Sequence, residues 1–559
     1  MYKMLKYLKY LKINLVFTIS ISMVLLTSCN DSTVEHPNPS TITGVIKDTL
    51  GESVAGALVK VRGIDTGISY MVVSQDYGRY RTPKLLSGRY TVDAFGGNYQ
   101  SIPEVAVDVG SVQQEYADRV LSIIREITPP KAKFSNEDYA QLMPAGKAKS
   151  LITSRCALCH GLDRVVPARK SPQSWQLTVD RMNFFLEERK DLGGPLSNQE
   201  QESILGYVSK YFTRDAPDIP DAEPPGGTRI SLDPNGHLPR KLLKDIEAKF
   251  VTMEFDPQTP INKPETEIGV DSKGNAWISE GGTTFFGRFD PISLSYIRIE
   301  SPIGKFPRLL AQIAVDPQDQ VWIIDNGSSP NSELLRYNHQ SKEFKTYKIS
   351  APLRYRAPLN TLRFLDGNVW GTGNASSRVV KLNSSTGEVT AYPSTRGSHP
   401  FGIVIGSDKM VWYVTNYNNE IIKLDPNTGR QTSYKTTNPR SGLRRIGADA
   451  LGNLWAGAQD SNTLVKLDSK TGEITEYPIP TRDSGPYSVD VDTMQNFIWV
   501  SERDADKIAR FDPRTNSFIE FPLPTAGIEA RRILVDPVNP NRIWWNCSNG
   551  CIGYTELID

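Results

Sequence analysis

The sequence predicts a multidomain protein made of a small β-sandwich, an all-α unit and a seven-bladed β-propeller. A length of 559 residues exceeds what one hydrophobic core normally serves. Short alternating apolar runs occur before residue 122, whereas apolar residues recur at helical spacing between residues 130 and 213. In the remainder, seven tryptophans recur every 42 to 48 residues, which is the size of a propeller blade: Trp277, Trp322, Trp370, Trp412, Trp455, Trp499 and Trp544.

Composition excludes several classes of protein. The chain is 38% hydrophobic and 23% charged, and no apolar run after residue 30 is long enough to span a bilayer. Its 64 basic and 63 acidic residues give a formal charge of +1, so no global basic field predicts nucleic acid as a partner. Five cysteines and five histidines exclude a disulfide-dense scaffold, which makes their clustering informative.

Residues 1–28 have the layout of a secretory signal, with four early lysines before the apolar run Ile13–Leu26. The run ends in Leu26-Thr27-Ser28-Cys29, which resembles the bacterial lipobox and implies that Cys29 carries a lipid anchor. The alternative is a plain signal peptide followed by a chance cysteine. Polar residues 29–40 then form a tether.

We therefore expect an exported protein, anchored to the membrane through lipid on the periplasmic or cell-surface side. Asn30 follows Cys29, and by the rules of the lipoprotein family this slightly favours the outer membrane.

Residues 41–122 read as a small β-sandwich, because short alternating runs are separated by Gly, Asp and Ser turns. The phrases Asp76-Tyr77-Gly78-Arg79-Tyr80 and Leu86-Ser87-Gly88-Arg89-Tyr90 resemble the carboxypeptidase regulatory-like domain. The resemblance implies an accessory sandwich that serves as a spacer or interaction module.

Cys156-Ala157-Leu158-Cys159-His160 is the C-x-x-C-H attachment sequence of a c-type haem. Two thiols three residues apart can add to both haem vinyl groups, while His160 supplies the proximal iron ligand. A thioredoxin-like pair would need a surrounding βαβ pattern, and a zinc site would need a second cysteine pair nearby. The motif therefore predicts covalent haem c as the cofactor.

Residues 130–213 are predicted to form a cytochrome c-like haem domain, followed by a Pro-rich linker over 214–244. Helical spacing places Met182 on one apolar face with Trp175, Val179 and Leu186. This pattern resembles short cytochrome c domains, which implies Met182 as the sixth iron ligand; the alternative is a methionine that only fills the core. Ser197 and Glu200 predict a capping box at the start of the closing helix.

Residues 245–559 are predicted to form the seven-bladed propeller, in which an Asp-x-x-Gly-Asn turn or a variant precedes each tryptophan strand. We expect Phe250–Phe255 to pair with the last repeat unit and so close the ring. Cys547 and Cys551 flank a short turn, which favours a disulfide across a hairpin over two free thiols.

The repeat resembles the virginiamycin B lyase (streptogramin lyase) family, most clearly in Pro486-Tyr487-Ser488-Val489 and Ile498-Trp499-Val500-Ser501-Glu502. The resemblance implies opening of a cyclic ester by elimination, with a histidine base and a divalent metal beside glutamates. Glu280 and Glu502 match the family's glutamate. Phe401 and Tyr487 follow the prolines where the family has histidine.

His399 precedes its proline and is the remaining candidate base; the alternative is a solvent-facing turn residue.

Polar residues are also predicted at the entrance of the ring. Some of them lie in the innermost strand, which is located by counting residues back from each tryptophan, and others end the tryptophan strand. They are Glu267, Gln312, Asp325, Asn416, Arg445 and Arg531. Such a set is suited to a polar small molecule or peptide with carboxylate or sugar groups, or it is ordinary solvated channel lining.

Three functional hypotheses follow. The first is a membrane-anchored c-type cytochrome for extracytoplasmic electron transfer, with an electron donor or acceptor protein as partner and the propeller as docking platform. The second is a metal-dependent C–O lyase or hydrolase of cyclic esters on the propeller. The third is a surface binding or sensing lipoprotein.

Overall fold

A computed structural model describes residues 40–558, with these gaps: 98, 102–104, 111–113, 118, 124–135, 157–161, 163–164, 167–171, 189–192, 214–240, 258–265, 281–282, 303–309, 326–331, 350–358, 375, 396, 440, 526 and 548–549. Within these residues, no helix combines the length and the apolar character that a membrane crossing requires.

The N-terminal domain is a β-sandwich of nine strands. In chain order these are β1 Thr41–Asp48, β2 Leu58–Gly63, β3 Ile68–Val73, β4 Arg79–Arg81, β5 Gly88–Gly96, β6 Tyr99–Ser101, β7 Val105–Val109, β8 Gln114–Tyr116 and β9 Arg119–Ile123, with a 3-10 turn at Asp76–Gly78. Tyr80 and Tyr90 are buried in its core, and each donates its hydroxyl to a backbone carbonyl. The bounds agree with the alternating pattern read from the sequence.

The helical segment contains the helices Asn136–Leu142, Lys147–Leu151, Pro172–Glu188 and Asn198–Tyr211, with a π-helical turn at Ile152–Cys156. The predicted capping box is present: Glu200 N donates to Ser197 Oγ at 3.3 Å, and Ser197 N donates to Glu200 Oε2 at 2.8 Å. Trp175 is buried and donates its indole N–H to Phe212 O at 2.8 Å, which holds the two long helices together.

The C-terminal half forms a β-propeller. Its six separate blades are four-stranded antiparallel sheets: β11–β14 (Thr266–Val270, Ala276–Glu280, Phe285–Asp290, Ser295–Glu300), β15–β18 (Leu310–Val315, Gln320–Asp325, Ser332–Asn338, Glu343–Ile349), β19–β22 (Leu359–Leu365, Asn368–Gly373, Arg378–Asn383, Val389–Pro393), β23–β26 (Pro400–Ile405, Val411–Thr415, Glu420–Leu424, Gln431–Lys435), β27–β30 (Leu443–Ala448, Leu454–Ala458, Thr463–Leu467, Ile474–Pro478) and β31–β34 (Pro486–Asp492, Phe497–Glu502, Lys507–Asp512, Ser517–Pro522).

The repeated tryptophan is the central packing element of each unit. All seven are at most 1% exposed. In five units the indole N–H donates to an aspartate of the preceding turn, as Trp277 does to Asp271 at 3.1 Å and Trp455 to Asp449 at 2.9 Å. The same aspartates accept backbone N–H groups within the turn, for example Asn275 N on Asp271. The Asp-x-x-Gly-Asn motif therefore fixes both the turn and the indole.

Six blades, not the predicted seven, form separate sheets. The strands around Trp544 belong instead to a 13-stranded sheet that includes the sandwich. Its propeller part runs β35 (Ile533–Val535), β36 (Arg542–Asn546), β37 (Ile552–Leu557) and then β10 (Phe250–Phe255), which follows a 3-10 turn at Asp245–Ala248.

Strand β10 is the physical reason for the merged sheet. The predicted pairing with the last repeat unit is present, from Phe250 opposite Leu557 to Phe255 opposite Ile552. The other edge of β10 pairs antiparallel with β3 of the sandwich. A strand with two free edges thus satisfies its backbone groups on both sides, and the sandwich is part of the same sheet as the propeller rather than a separate spacer.

Side chains reinforce this junction. Lys60 of the sandwich donates to Pro524 O at 2.9 Å and to Thr525 Oγ1 at 3.0 Å, and Thr525 in turn donates to Glu254 of β10 at 3.0 Å. Apolar residues of both domains share one core around the fully buried Met253. The end of the predicted linker contributes as well, because Leu243 N donates to Gly56 O at 2.9 Å.

The disulfide expected in the last unit joins Cys547 and Cys551. It lies between β36 and β37, in a core cluster that also holds Trp545 and Phe250. Here the packing is tight: a Cβ on Gly553 would lie 2.3 Å from Met253 O and from the Trp545 ring. Glycine at this position therefore lets β37 approach β10.

We predict that Met253→Ala destabilises the sandwich and the propeller together. Loss of a fully buried methionine costs about 2 to 5 kcal/mol, and the core that loses it is shared by both domains. The matched control is Met494→Ala, at a position 82% exposed, where we expect a change within about 0.5 kcal/mol. Calorimetry should show one shifted transition for both domains; a sandwich transition that stays in place while the propeller shifts would contradict the shared core.

Candidate functional site

The candidate site lies where the innermost strands of the blades meet at the ring centre. In five of the six blades the pairing between the first and second strands is interrupted by a register shift at the same place, for example between Leu443 and Ile446. A β-bulge re-aims side chains out of the regular ladder and is common beside functional sites. In these five blades the bulge thus changes which residues of the first strand point towards the axis.

In the last three of these bulges the first residue gives an outer set, here called the rim, which also includes the corresponding residue of the last unit: Phe401, Arg444, Tyr487 and Arg531. The Arg444 guanidinium lies over the rings of Phe401 and Tyr487, 5.4 and 5.5 Å from their centroids. These two rings meet edge to face at 5.9 Å. Guanidinium groups over aromatic faces are stabilised by cation–π attraction. The rim therefore combines flat apolar faces with positive charge.

One carboxylate balances part of that charge. Glu529 Oε2 accepts hydrogen bonds from Arg503 at 2.7 Å and from Arg531 at 2.9 Å. Burial alone would raise the pKa of Glu529, but the two guanidinium groups outweigh it and lower the pKa to about 2. Glu529 thus holds the Arg531 guanidinium in place at the rim.

The second residue of the bulge gives a deeper set. Arg445 is 5% exposed and crosses the axis, donating to Glu267 Oε1 at 2.9 Å, to Thr361 Oγ1 at 3.1 Å and to Arg531 O at 3.0 Å. These partners belong to three other repeat units. Arg445 therefore ties opposite sides of the ring together at its centre, as a hydrogen-bonded ion pair with Glu267.

The sequence did not predict the residue of the last unit that is equivalent to Arg445. Ile446 pairs with the residue after Trp455, and Ile533 pairs with the residue after Trp544, so Arg532 rather than Arg531 has the same register as Arg445. The turn before Trp544 is longer than the turn before Trp455, so counting residues back from the tryptophan gives a different strand position in the last unit. A register count from the strand itself would have found Arg532.

Two further charged residues were also missed. Arg363 and Asp490 lie opposite the tryptophans of their blades, at Trp370 and Trp499. Both influence Arg532 electrostatically, as do Arg445 and Glu267. We call the set Glu267, Gln312, Arg363, Arg445, Asp490 and Arg532 the axial cluster.

The other predicted polar residues have structural partners. Gln312 is 2% exposed and accepts Leu362 N on Oε1 at 2.8 Å, linking neighbouring blades at the axis. Asn416 donates to Leu443 O at 3.1 Å, which also joins two blades. Asp325 is buried at the end of its tryptophan strand, with backbone pairing to Leu310 and Glu333. Of the predicted entrance residues, Arg445 contacts Glu267 and the backbone of Arg531, and Gln312 has the register position of Arg445 in its own blade.

The candidate lyase residues are not brought together. Glu280 is fully buried in the first blade and accepts from Tyr296 at 2.8 Å and from Arg298 at 3.0 Å, and a second Arg298 contact occupies its other oxygen. Glu502 is fully buried in the sixth blade, and burial raises its pKa well above the ordinary value. Tyr296 and Arg298 thus occupy the Glu280 carboxylate, whereas both oxygens of Glu502 are buried without a hydrogen-bond partner in the described structure.

His399 is buried rather than solvent-facing. It is 8% exposed and stacks on Tyr417 at a centroid distance of 4.6 Å and on Phe401 at 5.8 Å. Its φ of 56° is in the left-handed region, which is sparsely populated by residues other than glycine. Asn416 N donates to its carbonyl at 3.1 Å. His399 thus supports the rim through its ring.

The expected divalent metal does not fit the residues present. Metal coordination needs several ionised or neutral donor atoms facing one point. Glu280 and Glu502 belong to different blades, and Tyr296 and Arg298 occupy the Glu280 carboxylate. Across the described part of the chain, no three His, Cys, Asp or Glu side chains converge as a possible metal site.

The predicted haem ligands are described only in part. Cys156 ends the π-helical turn Ile152–Cys156 and is half-buried against the apolar core of the helical segment. Met182 is half-buried in the helix Pro172–Glu188, on the face that also carries buried Trp175, Val179 and Leu186. Cys159, His160 and the predicted lipid-bearing Cys29 lie outside the described residues. Of these residues, Cys156 packs against the apolar core of the helical segment.

We predict that Glu529→Gln destabilises the protein at neutral pH and not at strongly acidic pH. The ordinary pKa of 4.5 falls to about 2 in the folded protein, so the stabilisation is present above pH 4.5 and is lost as the pH falls towards 2. Unfolding in denaturant across that range measures the difference from the wild type. The exposed Glu343→Gln is the control, and a Glu529→Gln difference independent of pH would contradict the assigned ion pairs.

Comparison with known proteins agrees with the architecture. Residues 299–554 match the virginiamycin B lyase family and residues 41–121 match the carboxypeptidase regulatory-like domain, which confirms both resemblances. The structure of streptogramin B lyase aligns with 56% of this chain and 100% of its own, at 24% identity and a TM-score of 0.50. Virginiamycin B lyase from Staphylococcus aureus aligns over the same shares at 23% and 0.49. Curated protein sequences gave no match. The family match and the alignment with streptogramin B lyase support the propeller fold.

Proposed function

We propose that this protein is an exported, lipid-anchored c-type cytochrome that transfers electrons outside the cytoplasm, with its propeller as the platform for a ligand or redox partner. The observation that carries the proposal is the sequence Cys156-Ala157-Leu158-Cys159-His160. The chain has few cysteines and histidines, so their clustering in one motif is informative. Covalent haem attachment and iron ligation require both thiols and the imidazole of this motif.

The helical segment supports the proposal through its packing. Cys156 borders a cluster that includes buried Ile152, Val166 and Leu196, so one edge of a haem attached there would contact apolar side chains. The hydrogen bond from Trp175 to Phe212 O fixes the helix that carries Met182. In this arrangement Met182 would supply a thioether ligand, while a bound haem would supply a one-electron iron couple of raised potential.

Export and anchoring fit the same proposal. Covalent haem attachment occurs outside the cytoplasm in bacteria that use a lipobox, and Cys29 would retain the protein at the membrane. The partner would then be an electron donor or acceptor protein on the periplasmic or cell-surface side. The outer membrane is slightly favoured by Asn30.

We also infer that the strands around Trp544 act as a seventh blade, although they belong to the larger sheet. Ile533 N donates to Ser488 Oγ at 3.1 Å, and Val535 N donates to Asp490 at 2.8 Å, which joins β35 to the sixth blade. On the other side, Gly274 of the first blade lies beside the Asp536 carboxylate. These contacts support a ring closed by the last repeat unit.

For the propeller, the geometry favours binding over lyase chemistry. Phe401 and Tyr487 are aromatic at the positions where the resemblance implies histidine, and they pack with Arg444. His399 lies beside them as a stacked ring. An arginine- and aromatic-lined entrance is suited to holding a ligand or a partner's surface by stacking and charge.

The test is a reduced-minus-oxidised absorption spectrum of the full chain produced with haem-maturation machinery. We expect a low-spin c-type spectrum in the wild type. Met182→Leu should convert the iron to high spin and lower its potential, because leucine fills the same space without a sulfur ligand. The matched control is Met143→Leu in the same helical core, which should leave the spectrum unchanged.

Two results would count against the proposal. Absence of a c-type spectrum in the wild type would overturn the electron-transfer function as a whole. A low-spin spectrum that persists in Met182→Leu would retain the cytochrome and remove Met182 as the sixth ligand.

A further inference from the structure

We propose that the axial cluster binds an oxyanion, that is, a carboxylate, sulfate or phosphate group of a small molecule, between Arg363, Arg445 and Arg532. The inference rests on the part of the proposed function that assigns binding to the propeller. It does not depend on haem. Three observations carry it: an excess of positive charge, a buried guanidinium Nε without a hydrogen-bond partner in the described structure, and donors contributed by several blades.

The charges of the cluster do not balance. Arg363, Arg445, Glu267 and Asp490 all act electrostatically on Arg532, and together these three arginines and two carboxylates leave +3 − 2 = +1. Glu267 is taken by Arg445 in an ion pair of 2.9 Å. One oxygen of Asp490 accepts Val535 N at 2.8 Å. No remaining carboxylate of the cluster therefore pairs directly with Arg363 or Arg532 among the described ion pairs.

Arg532 is the residue that most requires a partner. It is 4% exposed, its Nε has no hydrogen-bond partner within the described structure, and no ion pair to it is found there. Burial, followed by the nearby Arg363 and Arg445, lowers its pKa well below the ordinary value. A buried charge without compensation is costly, so proteins normally pair such groups. An anion between the three guanidinium groups would supply that compensation.

The donors also have the chemistry that an oxyanion requires. Guanidinium groups present N–H bonds in a fork that matches two oxygens of a carboxylate, sulfate or phosphate. Gln312 adds a neutral donor, because its Nε2 is buried without a hydrogen-bond partner in the described structure while its Oε1 is engaged. Arg363, Arg445, Arg532 and Gln312 come from four different repeat units, so the site exists only in the closed ring.

At the same level, the backbone of the fourth blade packs directly against that of the fifth. A side chain at Gly402, the equivalent position of the fourth blade, would lie 2.6 Å from the Arg445 Cα. This blade therefore contributes no side chain to the axis at that level. The aromatic rings of the rim lie adjacent, where they would contact the remainder of the small molecule.

Equilibrium dialysis of the full chain against radiolabelled sulfate at low ionic strength tests the proposal. We expect saturable binding by the wild type and affinity about tenfold to a hundredfold lower in Arg532→Gln and in Arg363→Gln, because each loses a charge-assisted contact. The matched control is the exposed Arg514→Gln, whose native partner is Asp512, and its affinity should equal that of the wild type. Unlabelled phosphate and acetate then compete to show which oxyanion is preferred.

Thermal unfolding provides the second readout. Sulfate should raise the melting temperature of the wild type and not that of Arg532→Gln, whereas in sulfate-free buffer Arg532→Gln should melt above the wild type because repulsion is removed. Any of three results would overturn the proposal. These are a wild type that binds none of the three anions, an affinity of Arg532→Gln equal to that of the wild type, and a lower melting temperature of that variant without anion. The haem spectrum is independent of these outcomes, so failure here is distinguishable from failure of the electron-transfer function.

Discussion

The two-sided pairing of strand Phe250–Phe255 is the constraint on which the rest of the structure depends. One edge pairs with Ile552–Leu557 and joins the two ends of the propeller sequence, and the other edge pairs with Ile68–Val73 of the sandwich. Because a strand edge left open exposes its N–H and C=O groups, closing both edges at once stabilises the ring and the accessory domain in one step. In sequence, the helical segment lies between β9 and β10, and both of these strands belong to the same sheet.

Closure of the ring in turn creates the site. Arg445 reaches Glu267, Thr361 and the backbone of Arg531 only because units distant in sequence meet at the axis. The bulges in the innermost strands point polar residues into a region that would otherwise be apolar. The result is a centre with more guanidinium than carboxylate, which is stable when an anion completes it. Lyase chemistry has no comparable support, since Glu280 and Glu502 belong to different blades and Arg298 occupies Glu280.

Much of the fold was predictable because its signals are local or periodic. Tryptophan spacing predicts the propeller units, and Ser197 with Glu200 predicts a helix start, since both depend on nearby residues. Pairing of Phe250–Phe255 with the sandwich was not predicted, because edge pairing through backbone groups leaves no side-chain pattern. Arg532 was missed because turn length changes the count from the tryptophan. His399 was expected either as a base or as a solvent-facing residue, whereas stacking on Tyr417 buries it.

The central functional claim is that this chain carries a covalent haem on Cys156 and Cys159. Intact-protein mass spectrometry after production with haem-maturation machinery, followed by peptide mapping, tests it most directly. The account predicts a mass increase of one haem, located on the peptide that contains both cysteines and His160, and loss of that increase when both cysteines are replaced by serine. An unmodified peptide, with the two cysteines present as thiols or as a disulfide, would contradict the account.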